Sequence, residues 1–172
     1  MSLFAAGDVL TADALNEAVG RTARMTSNQG FANAAQANVT QLVLPGRANT
    51  IYKVEAELYT TGDDVNGLAT SWTYPAGATF ANGQHSVQHN AAGGVVTAAD
   101  MNGRGIALQA SPSTTLEHKA PDTNAVVVIL KGTLVMGANA GDLQLRASKV
   151  VNTSGTDTVI LAGSTITIRA AE

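Results

Sequence analysis

Cysteine is absent from the 172 residues, which excludes a disulfide framework, a thiolate metal centre and a thiol nucleophile. Charge is scarce too: Asp, Glu, Lys and Arg make up 13 % of the chain, against roughly 25 % in ordinary soluble domains. Aromatic residues are 4 %. A surface with so few ions must be built from Thr, Ser, Asn, Gln, Gly and Ala, or be partly covered by other chains. Both options fit a component of an assembly better than a freely diffusing monomer. The formal net charge is −3, with no block of Lys or Arg. Nucleic acid and anionic membranes, which demand clustered cations, are therefore not expected as partners. No apolar run approaches the roughly 20 residues of a membrane span. No Lys or Arg precedes Arg21, so the cationic start of a secretory signal is missing, and the expected site of synthesis and folding is the cytoplasm.

Catalytic patterns are equally thin. No Ser sits in a G-x-S-x-G elbow. Glu55 and Glu57 share a strand face with Lys53, which reads as a solvated surface and not as an acid/base pair. His85 and His89 stand four apart without the Glu of an H-E-x-x-H site. They, and His118, are read as structural or solvent-facing. Asp63-Asp64-Val65-Asn66-Gly67 lacks the Glu that would close a calcium loop and is ordinary turn chemistry. Gly93-Gly94 and Gly103-Arg104-Gly105 lack phosphate-binding spacing. Trp72 and Tyr74 could stack on a sugar, but their alternation with Leu68 and Thr70 assigns them to a core. Neither an enzyme, a cofactor nor a metal is expected.

What the chain does contain is strand grammar. Tyr52, Val54, Ala56 and Leu58 alternate with Lys53, Glu55 and Glu57. A strand is expected near 38–44, ending at Pro45-Gly46, and another at 68–74, ending at Pro75-Ala76-Gly77. Short candidates follow at 79–80, 85–89, 95–97, 106–108 and 114–118. The last third is the richest. Val126, Val127, Val128, Ile129 and Leu130 are apolar at every position, so both faces of that strand are expected to be covered, by two layers or by one layer and a neighbouring subunit. Strand 142–151 alternates, with Leu143, Leu145, Ala147, Lys149 and Val151 on one face. Runs at 158–161 and 165–168 close the chain in what reads as a β-meander. With eight to ten short strands, the fold class is all-β: a jelly-roll-like β-sandwich over 38–172.

Residues 1–37 read otherwise. Thr11 is placed as an N-cap, with Asp13 and Glu17 near the positive end of a helix over about 11–24. Leu15, Ala18, Val19 and Thr22 follow at helical spacing. Such a short, narrowly striped helix is marginal alone and must dock on something. The Asn-, Gln- and Ala-rich stretch 25–38 reads as linker or extended arm.

Three pieces carry a resemblance to a family of small bacteriophage virion proteins common in phages of actinobacteria. They are Ala6-Gly7-Asp8-Val9-Leu10-Thr11-Ala12-Asp13-Ala14-Leu15-Asn16, then 52–58 with 72–78, and Gly132-Thr133-Leu134 with 140–145 and 159–164. The resemblance implies a trimeric TNF-like or jelly-roll sandwich with an N-terminal anchor to the particle. On that basis the chain is expected to be a capsid decoration protein on the virion surface. Its partners would be two further copies and the major capsid protein or another virion protein. The anchor would use Phe4, Val9, Leu10, Leu15 and Val19, and the run 126–130 would form the trimer or inter-sheet core. The rival expectation is a tail or fibre protein whose sandwich binds a host glycan.

Overall fold

The structure, a computed structural model, describes residues 19–62, 67–89, 107–109, 116–118, 126–151 and 155–171, with backbone alone over 81–89, 107–109 and 116–118. Twelve strands occur among them: β1 Arg21–Arg24, β2 Gln29–Phe31, β3 Ala37–Gly46, β4 Ile51–Thr61, β5 Leu68–Thr73, β6 Thr79–His89, β7 Ala107–Gln109, β8 Leu116–His118, β9 Val126–Val135, β10 Gly141–Lys149, β11 Thr158–Ile160 and β12 Thr165–Ala170. They form two antiparallel sheets packed face to face, the all-β sandwich expected from the alternation. The large sheet runs β1-β12-β4-β9-β6-β7, with β11 pairing β4 and β2. The small sheet runs β3-β10-β5-β8.

The β4–β9 pair is the spine of the large sheet, in unbroken register from Ile51↔Val135 to Thr60↔Val126. Period-two alternation turns Tyr52, Val54, Ala56 and Leu58 inward with Val126, Val128, Leu130 and Leu134, all buried. β12 adds Ile166 and Ile168 to that face, and Leu143, Leu145 and Ala147 of β10 meet them from the small sheet. Gly132 leaves a gap in the inward row, and Phe80 fills it. A Cβ on Gly132 would sit 2.0 Å from the Phe80 ring. Phe80 stacks in turn on Trp72 of the small sheet, ring centres 5.7 Å apart. This places Trp72 in the core, as its alternation indicated.

The N-terminal expectations need correction. The C-terminal part of the helix assigned to 11–24 is strand β1, paired with β12 from Arg21↔Ile168 to Arg24↔Thr165. Gly20 adopts φ 94°, which a right-handed helix cannot contain, and the open edge of β12 supplies hydrogen bonds that four residues of a weak helix could not better. Residues 11–18 lie outside the described set. The stretch 25–38, expected as a linker, is part of the sandwich. Met25 and Phe31 are core residues at 1 % and 4 % exposure. Side-chain amides tie it to β3: the Thr26 N–H donates to Oε1 of Gln41 on β3 at 2.5 Å, and Gln29 Oε1 accepts from Thr40 N on β3 at 3.0 Å. Gln29 Nε2 donates to the Asn38 carbonyl at 2.8 Å. The Gln29 amide thus takes up β3 backbone groups where the β3 register against β10 shifts between Gln144 and Arg146.

Two further expectations change. The last third is not a meander, because β9, β10, β11 and β12 each pair with other strands and never with one another. β10 crosses to the small sheet, while β11 and β12 lie end to end along β4. The apolar run of β9 is also split. Val126, Val128 and Leu130 are buried inside the sandwich, whereas Val127 and Ile129 are half-buried on the outer face of the large sheet. On β10, Lys149 does join the inward face, 1 % exposed with Nζ 3.4 Å from the Gly155 carbonyl. Val151 lies beyond the strand and is exposed. Residues 63–66 of the turn read at 63–67, and the candidate strand 95–97, fall outside the described residues.

Three stability predictions follow from this packing. Val128→Asp puts a carboxylate where no water reaches and should cost several kcal/mol, a large share of a typical ~5–15 kcal/mol. Gly132→Ala should cost about 1–3 kcal/mol through displacement of Phe80, whereas Glu55→Gln should stay within about 0.5 kcal/mol. Thermal or urea melts would check all three. Deleting residues 1–18 should leave a folded sandwich, but deleting 1–37 should not, because it removes β1, β2, Met25 and Phe31; circular dichroism of the two truncations separates the outcomes.

Candidate functional site

Among the described residues, the outer surface of the large sheet presents side chains in rows across β9, β4, β12 and β1. The first row is Thr133, Lys53 and Arg169. The second is Lys131, Glu55, Thr167 and Thr22, and the third is Ile129, Glu57, Thr165 and Arg24. Val127 and Tyr59 stand opposite one another in the fourth row. The face thus grades from cationic at one end to apolar and acidic at the other.

Each row has its own chemistry. In the second, Lys131 Nζ lies 3.2 Å from Glu55 Oε1, both more than half exposed; such a pair contributes little. The Thr22 and Thr167 hydroxyls are 2.8 Å apart. In the first, Lys53 and Arg169 are direct cross-strand partners, and like charges so placed repel. Lys53 Nζ donates to Thr133 Oγ1 at 3.2 Å, which lowers no charge. Between these rows lies an open depression of about 260 Å³ bordered by Val19, Lys53, Glu55, Lys131, Thr167 and Arg169. Val19, 73 % exposed, stands at its rim.

At the other end Tyr59 donates from its hydroxyl to Glu57 Oε1 at 2.5 Å. This bond and the carboxylate's charge push the Tyr59 phenol above its usual range. The small sheet's outer face offers less. The loop before β3 folds over it, and Gln36 accepts from Ser71 at 2.9 Å while donating to Ser148 at 2.8 Å. Arg146 Nη2 donates to the Gln36 carbonyl at 2.6 Å. Ser71 and Ser148 are buried beneath this clasp.

Of the residues expected to anchor the chain, Val19 is exposed where the chain enters the outer face of the large sheet; Phe4, Val9, Leu10 and Leu15 lie outside the described residues. Of the run 126–130, Val127 and Ile129 reach this face and Val126, Val128 and Leu130 do not. The histidine readings concern side chains outside the described set. Among the described residues no group of three His, Cys, Asp or Glu side chains could hold a metal. Sequence reasoning missed the Lys53–Arg169 contact, since residues 116 positions apart become neighbours only through β4–β12 pairing. Compared with known proteins, the chain matches no family model, no curated protein and no solved structure.

The Tyr59 geometry gives a prediction. Glu57→Ala should lower the Tyr59 titration toward its ordinary value near 10, read by ultraviolet absorbance against a Tyr59→Phe control. Because the raised value belongs to the folded state, the stability it contributes is present below pH ~10 and is lost as pH climbs through the raised value. Alkaline melts of Glu57→Ala should therefore fall less steeply above pH ~10 than those of the parent.

Proposed function

We propose that the chain is a structural protein of a bacteriophage virion: a trimeric decoration protein of the head surface, anchored through its N-terminal segment. The observation that carries this reading is the resemblance at Ala6 to Asn16, preceding a sandwich whose chain leaves the large sheet at the exposed Val19. The character of the surface supports it. Phe31, Tyr52, Trp72 and Phe80 are buried, and only Tyr59 and Tyr74 are half-buried among the described aromatics. A receptor-binding module needs rings in the open to stack on sugars, so the tail-fibre reading draws less support. The exterior rows of Thr, with Val127 and Ile129 between them, suit contact with further copies of the chain. In this reading the sandwich adds no chemistry. It covers the shell while the N-terminal segment holds the major capsid protein or another virion protein.

Sedimentation should give a species of three times the 17.5 kDa chain mass, and Ile129→Glu should release folded monomers. A stable monomer of the parent at micromolar concentration would count against the trimer. Cryo-electron microscopy of the virion should place the sandwich on the head shell. Density on the tail would favour the glycan-binding alternative, and absence of the chain from purified particles would overturn both.

A further inference from the structure

We propose that the outer face of the large sheet is the docking site of the chain's own residues 1–18, held by their carboxylates on Lys53 and Arg169. Three observations converge on it. First, the two cations face one another directly across the β4–β12 ladder, and among the described residues neither has a carboxylate partner, since Glu55 is engaged by Lys131. The repulsion goes uncompensated in a protein whose formal charge is −3. Second, residues 1–18 carry Asp8, Asp13 and Glu17 and no Lys, Arg or His. Third, the chain enters the described fold at Val19, on the rim of the depression that Lys53 and Arg169 border. Glu17 is two residues away, so its Cα is within about 7.6 Å of that of Val19. A carboxylate tethered so close is presented at an effective concentration on the order of millimolar.

The contact differs from the particle anchor above, which invokes the apolar residues of the same segment, and it does not require the virion reading. It has a specific character. Exposed ion pairs are weak and screened by salt, so the segment is held reversibly and can be surrendered to a stronger partner.

The absence of cysteine allows a direct test on the full chain. A nitroxide on Ala6→Cys should broaden the amide resonances of Lys131, Thr133 and Arg169. The broadening should be lost in Lys53→Ser/Arg169→Ser, and at roughly 0.5 M NaCl, where screening shrinks to a few ångströms. Asp8→Asn/Asp13→Asn/Glu17→Gln, which leaves every sandwich residue intact, should produce the same loss. Absence of broadening in the parent, or broadening indifferent to both sets of substitutions, would overturn the proposal. Mixing spin-labelled unenriched chains with unlabelled 15N chains tests the intrachain assignment: no broadening is expected, and its appearance would overturn docking within one chain.

Discussion

Burial of one face of the β4–β9 pair is the constraint on which the remaining structure depends. Ten consecutive register positions turn their even-numbered residues into the sandwich, and a slip of one would bring Lys53, Glu55 and Glu57 into the core. That penalty keeps the two strands in place. β12 and β11 then share the other edge of β4, and β6 takes the other edge of β9. Gly132 is the one opening in the inward row, and its occupation by Phe80 joins the large sheet to Trp72 of the small one. An aromatic content of 4 % is enough for this core because Phe31, Tyr52, Trp72 and Phe80 are spent inside it.

Low charge and abundant amides have a structural counterpart in the seam between the sheets. Residues 26–41 close one side of the sandwich with side-chain amides of Gln29 and Gln41, where backbone pairing is interrupted. Gln36 does the same over Ser71 and Ser148. Arg21 reaches from β1 to the Pro45 carbonyl at 2.7 Å, tying the edge of one sheet to the edge of the other. Pro45 is tolerated there because β3 is an edge strand and spares an N–H. Neutral amides can both donate and accept, so they fit such irregular backbone better than ions would, at a smaller desolvation cost. Polar composition, often a mark of solvated linkers, here marks an irregular but fully engaged part of the fold.

The outer face of the large sheet follows from the same alternation. Odd-numbered residues of β4 and β9 and their β12 neighbours are left facing outward, and their order along the strands sets the gradient from Lys53 and Arg169 to Tyr59 and Val127. The two proposals made for this face use different ends of it. A contact between copies draws on Val127 and Ile129, while the intrachain docking draws on the cationic row. Both can therefore operate in one assembly.

Local alternation determined much on its own. The strands 52–58 and 165–168, most of the strand placed at 142–151, the inward placement of Trp72, Leu143 and Lys149, and the solvated character of Glu55 were legible from period two, whereas the uniformly apolar run 126–130 gave no sign of which face Val128 takes. Pairing was not. Strands β9 to β12 are consecutive in sequence and looked like a meander, yet which strand neighbours which depends on contacts far along the chain. The strands β1 and β2 were invisible for the same reason: three or four residues hold no periodicity, and they become strands only because β12 and β11 present open edges. The Lys53–Arg169 pair has no sequence signal at all. The alternation in each segment decided which residues face inward, while only the tertiary structure decided which outward residues meet, because cross-strand neighbours are set by long-range register and not by local pattern.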